Sequence, residues 1–139
     1  TRAIRRQRPD LVVGMTWAER FAGGMVNQAD HRAVGLATLD AVADAGNRWL
    51  HRELEDEGLE PWGGVRAFAV AASPTPTHSV DVSGEHFEAA VWSLEAHAAY
   101  NDALPEDYPE PRVLLGSILG GGGSAVGVDH AVLFDVIRR

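Results

Sequence analysis

The run VNQADHRAVG places Asn27, Gln28, Asp30, His31 and Arg32 within six consecutive positions. An imidazole, a carboxylate, two amides and a guanidinium can together hold a metal, orient a water or bind a polar substrate. A carboxylate beside a histidine can accept its second N–H and so select which ring nitrogen faces a metal. The same letters also describe a capped helix start with a solvated histidine. A short Asp-His pair is common by chance, so the pair alone leaves both readings open.

The elements around this run narrow the choice. Leu11 to Met15 is a short apolar run bounded by turn residues, as expected of a buried parallel strand. Residues 16–28 contain Gly23-Gly24 and read as a loop. Asp30 is the expected cap of a helix carrying Val34, Leu36, Ala37, Ala41, Val42 and Ala45, with Gly46-Asn47 as its stop. The chemistry-bearing residues are thus expected where a loop after a strand meets a helix N-terminus. That edge of an open α/β sheet is where ligands bind.

Further along, residues 65–72 form a second strand candidate, SPTPTH an extended connector, and residues 79–82 a third strand. A helix is expected from Ser83 to about Asn101, with Phe87, Val91, Leu94 and Ala98 on one face and Trp92 in the core; Glu85 in its first turn suits the helix dipole. Residues 105–111 read as an acidic, proline-rich loop, residues 112–119 as a short helix, Gly120 to Gly123 as a flexible break at the rim of a cleft, and residues 131–137 as a closing strand. Alternating strands and helices predict one α/β domain over residues 1–139 with a mostly parallel sheet. The opening TRAIRRQRPDLVV reads as a helix end running into a strand, as within an α/β domain, so further sequence is expected upstream.

Composition excludes several classes. The 139 residues fit a single domain and can bury about two thirds of the unfolded surface. With 20 acidic against 12 basic residues the net charge is −8, which argues against a nucleic-acid-binding face. There is no cysteine, so disulfides and thiolate zinc sites are ruled out, and any metal must be held by histidine and carboxylates. No apolar run approaches the ~20 residues of a membrane-spanning helix, and no signal-peptide pattern follows the basic start; a cytoplasmic location is the default expectation. There is no Gly-x-Ser-x-Gly elbow. Gly120, Gly122 and Ala125 match the letters of a dinucleotide motif, but without its expected strand and helix context. His51, His78, His86 and His130 lack ligand spacing and read as structural or solvated. Trp17 and Trp62 fall in loops, where they pack a turn or line a sugar-binding cleft.

Four pieces in fixed order resemble the LmbE-like, or N-acetylglucosaminyl-phosphatidylinositol (PIG-L), deacetylases: RPDLVV, NQADHRAVGLATLDAV, the stretch from LEPWGG through SPTPTHSVDV to LEAHAAY, and GVDHAVLFDVIR. The resemblance covers nearly the whole chain. It implies a Rossmann-like α/β layer with a zinc site, Zn2+ or another divalent metal, at the C-terminal edge of the sheet. The implied reaction is removal of an acetyl group from an N-acetylated amino sugar or related conjugate. By this match His31 is a metal ligand and Asp30 its catalytic neighbour. Asn27, Arg32 and His97 are expected at the substrate. The family's other two metal ligands and its general base lie in a His-Pro-Asp-Asp motif that is missing from these residues. The chain is therefore expected to be the C-terminal portion of such a domain, inactive alone, and its layer incomplete. Gln28 stands where family members often have a histidine that steadies the tetrahedral intermediate. A glutamine can donate a hydrogen bond there, but it supplies neither a proton nor positive charge. Some members also have a tyrosine near Val26. The alternative is a non-catalytic relative that binds a sugar or a partner. Incomplete strands favour association with a partner chain or a second copy.

Overall fold

The structure, a computed structural model, describes residues 1–139. The elements in chain order are α1 (Arg2–Gln7), β1 (Leu11–Met15), α2 (Ala29–Asp44), α3 (Glu53–Asp56), β2 (Ala67–Ala71), β3 (His78–Asp81), α4 (Glu85–Glu95), α5 (Ala98–Asn101), α6 (Pro111–Val126) and β4 (Ala131–Arg138). The chain divides into two compact units, one of Thr1–His78 with Phe134–Arg139 and one of Ser79–Leu133.

In the first unit the strands are short apolar runs, as the sequence suggested, but only β2 is buried; β1, expected to be buried, leaves Leu11 and Val13 exposed. β1 and β2 pair in parallel with Leu11 opposite Ala67 and Met15 opposite Ala71. The four-stranded sheet has the order β1-β2-β4-β3. The expected α/β layer is borne out, but its mostly parallel character is not. β2 and β4 run antiparallel, from Ala67 opposite Arg138 to Ala71 opposite Phe134. A buried run is equally apolar in either direction, so periodicity cannot report strand polarity.

The core of this unit joins Phe68 and Val70 of β2, Val42 of α2, Ala45, Leu54 and Val65. Two glycines bring α2 close to the sheet. A Cβ on Gly35 would lie 2.5 Å from the Met15 carbonyl oxygen, and one on Gly14 would lie 3.4 Å from the Thr38 methyl of α2 and 2.8 Å from the Phe68 ring. α1 is held by a buried cation. Arg5 is 2% exposed and donates to the carbonyls of Ala45 (3.2 Å), Asn47 (2.9 Å), Leu50 (2.8 Å) and His51 (3.2 Å). These carbonyls follow the C-terminus of α2, where a cation also complements the helix dipole. The basic start thus includes one interior side chain, which composition could not single out.

In the second unit α4 buries Phe87 and Val91. Trp92, expected in the core, is 73% exposed, because one step of 100° along a helix carries it off the face of Val91. The expected helix to Asn101 is interrupted after Glu95, and α5 begins at Ala98. The Asn101 amide donates to the Leu94 carbonyl (2.9 Å), satisfying a group freed at that break.

The glycine run is not a flexible break. α6 continues through it from Pro111 to Val126 and stops at Gly127 in the left-handed region (φ 81°). Glycine costs a helix about 1 kcal/mol per residue relative to alanine. Close packing offsets that cost. A Cβ on Gly122 would lie 2.3 Å from the Ala131 carbonyl oxygen, and one on Gly123 would lie 2.5 Å from that of Val128. Proline at the first position of α6 suits a helix start, where its missing N–H is not needed.

Candidate functional site

The carboxyl end of β1 leads into residues 16–28, and this loop is built rather than loose. The Thr16 N–H donates to the Ala71 carbonyl (3.0 Å), which extends the β1–β2 pairing by one position. Arg20 and Val26 form an antiparallel bridge, and Phe21 N–H donates to the Met25 carbonyl (2.9 Å). Gly23 and Gly24 turn the tip with φ of 88° and 91°, a region open to glycine. The Arg20 guanidinium donates to the Gly24 carbonyl (2.7 Å). Met25 and Val26 are left exposed as an apolar rim.

At the base of this hairpin Asn27 is wholly buried. Its N–H donates to the Glu19 carbonyl (2.8 Å), and its side-chain Nδ2 donates to the carbonyls of Thr16 (3.0 Å) and Ala18 (2.9 Å). Asn27 Oδ1 lies 3.2 Å from His31 Nδ1, one helical turn on. The Arg32 guanidinium donates to the Asn27 carbonyl. Phe21 stands against the imidazole at a ring-centroid distance of 6.2 Å and a tilt of 55°. Beneath the loop, Trp17 stacks on Phe68 at 6.4 Å.

The structure therefore brings Asn27, His31 and Arg32 into one cluster at the α2 entrance, half-buried apart from the sealed Asn27. Asn27, expected at the substrate, is enclosed, and its amide is fully used within the protein. Gln28, not Asp30, is the N-cap, with extended backbone (φ −64°, ψ 151°) and no side-chain capping bond. Asp30 lies in the first turn of α2, where a carboxylate complements the helix dipole. Gln28 and Asp30 are both exposed. His97 belongs to the second unit, where it caps α5 and directs Nδ1 at the Ser93 carbonyl (2.9 Å).

His51 and His130 lie among other groups, the His130 Nδ1 buried without a hydrogen-bond partner. His51 lies 3.5 Å from Asp44 and 3.6 Å from Glu53. His130 stacks on Phe87 at 3.9 Å, and its backbone N–H donates to the Ser83 hydroxyl oxygen (3.0 Å). No three His, Asp or Glu side chains of the chain are grouped so as to hold a metal ion. As a zinc site the donor set is incomplete: His31 fits the part of one ligand, and nothing beside it in these residues supplies two more. Sequence reasoning missed the Thr16 and Ala18 carbonyls and the Phe21 ring. The i, i+4 spacing of Asn27 and His31 was the one available signal, since residues at that spacing meet on a helical turn.

No protein-family description matches the chain by sequence, and comparison with curated proteins finds no match. Among solved structures it is similar to the N,N'-diacetylchitobiose deacetylase from Pyrococcus horikoshii, solved with an inhibitor. The identity is 20% and the TM-score 0.77, over 99% of this chain and 49% of that one. It is also similar to the conserved protein TT1542 from Thermus thermophilus, at 23% identity and a TM-score of 0.67, over 96% of this chain and 53% of that one. The chain spans about half the length of the structures it matches.

Proposed function

We propose that this chain, which has the LmbE-like deacetylase fold that its sequence resembles, forms part of a metal-dependent hydrolase. The reaction is removal of an acetyl group from an N-acetylated amino sugar or related conjugate. The observation carrying this reading is the position of Asp30 and His31, at the entrance of α2 just beyond the carboxyl end of β1, in a fold shared with a chitobiose deacetylase.

In this reading His31 contributes one imidazole to a zinc ion whose other ligands come from outside the 139 residues. Zinc, when bound, makes its water more acidic and polarises a carbonyl oxygen. The chain's own residues have separate tasks. Gln28, exposed at the cap, donates a hydrogen bond to the developing oxyanion. Asp30 orients the metal-side water or substrate. Arg32 anchors the loop and meets polar groups of the sugar. A cytoplasmic setting and a partner chain or second copy completing the site belong to the same proposal. No helix is long and apolar enough to cross a membrane.

The second reading is a non-catalytic sugar- or partner-binding relative, favoured by Gln28 in place of a histidine. Acetate release from N,N'-diacetylchitobiose by the full-length protein, with zinc content measured in parallel, separates the two. Hydrolysis with about one zinc per chain, both lost in His31→Ala, is the expected outcome. Sugar binding without acetate release supports the second reading. Unchanged zinc in His31→Ala removes His31 from the site.

A further inference from the structure

A neutral imidazole carries its proton on one nitrogen and offers a lone pair on the other. Only the lone-pair nitrogen can bind a metal, so the tautomer decides which atom of His31 is available. The surroundings of Asn27 settle the tautomer through a chain of donors and acceptors.

One end of the Asn27 amide faces two carbonyl oxygens, Thr16 at 3.0 Å and Ala18 at 2.9 Å. Two acceptors require two N–H donors, so that end is the NH2 group. The reversed amide would set its oxygen against both carbonyls in a fully buried position, leaving three unpaired acceptors. Each such loss costs about 1–3 kcal/mol. The other end is therefore Oδ1, which can only accept. It faces His31 Nδ1 at 3.2 Å. Nδ1 must then carry the proton. Nε2 holds the lone pair, forms no hydrogen bond within the chain, and is not among the buried atoms lacking a partner. The tilted Phe21 ring lies 6.2 Å from the imidazole, centroid to centroid.

We propose that Asn27 is a positioning residue that holds His31 in the Nδ1–H form and presents Nε2 as the ligand atom. The assignment of Nε2 to a metal rests on the function proposed above; the tautomer itself does not. The device is an information relay. The carbonyls at the end of β1 orient the amide, the amide orients the imidazole, and the hairpin of residues 16–28 sets both. Asn27 can serve no substrate, because its polar atoms are all used and none is exposed.

The test is the pattern of 15N ring shifts of His31 in the metal-free chain, read from two-bond nitrogen–proton correlations at alkaline pH, where imidazoles are neutral. The unsubstituted chain is expected to show a protonated Nδ1 and an unprotonated Nε2. An Nε2–H form, which free histidine favours, or an even mixture overturns the proposal without any variant having to fold. In Asn27→Ala the pattern is expected to revert to mainly Nε2–H. A merely structural role predicts lower thermal stability in Asn27→Ala with an unchanged tautomer, and that result also overturns it. In the full-length protein, Asn27→Ala is expected to weaken zinc binding about 10- to 100-fold in chelator competition. If Nδ1–H is found but zinc content is independent of His31, the metal reading fails and the tautomer lock stands.

Discussion

Gln28 and His31 sit three positions apart yet in different surroundings. His31 is half-buried, with Nδ1 against Asn27, while Gln28 is exposed and makes no capping bond. An exposed amide at a helix entrance remains free to donate to a substrate oxygen. If Gln28 steadies an oxyanion, Gln28→Ala should lower kcat by about 100-fold, the effect of removing one such donor, with KM nearly unchanged. Steady-state kinetics of acetate release by the full-length protein checks this. An equal rise in KM instead places Gln28 in ground-state binding. The Glu88–Arg112 pair is the clearest charge effect on a single side chain. The hydrogen bond from Arg112 (2.6 and 2.8 Å), then its charge, hold the Glu88 carboxyl below its ordinary range.

Among the elements, α2 places the site, and two contacts fix α2. The first is Gly35 against the Met15 carbonyl at the end of β1. Gly35→Ala forces a Cβ to within 2.5 Å of that oxygen, so the helix must move. Overpacking of this kind costs about 1–3 kcal/mol and should outweigh the helix-propensity gain of alanine. Thermal unfolding should show the loss, and the His31 ring resonances should shift, since the same helix carries His31. The second is Arg5, which gathers four carbonyls just beyond the C-terminus of α2. Arg5→Met keeps the apolar stem but strands those acceptors. A loss of about 3 kcal/mol is expected, read as a lower denaturant midpoint. An unchanged midpoint would show that water replaces the guanidinium at no cost.

At the scale of the whole molecule, charge is the dominant bulk property, with 20 acidic residues and a net charge of −8. Two carboxylates are held below their usual range: Asp81 by hydrogen bonds from Ser83, and Glu88 by Arg112. A carboxyl whose folded pKa is depressed contributes stability that is present above its unfolded pKa and lost as pH falls through the folded value. Stability should therefore decline from the ordinary carboxylate range downward. These two groups should contribute little to it, since both are exposed and screened by solvent. Titration followed by NMR should place Glu88 below a free glutamate, and Arg112→Ala should return it upward. Stronger salt should shrink the difference.

Apolar runs and turn residues were enough to locate β1 at Leu11–Met15 and α2 from Ala29, because the residues that break strands and helices are written locally; burial was not, since Leu11 and Val13 of β1 and Val34 and Leu36 of α2 are exposed. The Asp-His pair at the entrance to α2 was legible for the same reason, and the order of four segments carried the fold. Strand direction was not legible, since β4 is as apolar antiparallel as it would be parallel. Gly120 to Gly123 read as a break because glycine disfavours helices, yet the Ala131 and Val128 carbonyls demand residues without a Cβ at Gly122 and Gly123. Trp92, expected inside, lies outside, and Arg5 of the basic start lies inside, because helix rotation and distant acceptors decide burial. The same holds at the candidate site. The sequence by itself determined that an imidazole stands at this helix start. Tertiary structure decided which of its nitrogens is free, because the two carbonyls that orient Asn27 lie 9 and 11 residues before it and come within reach only when the hairpin closes.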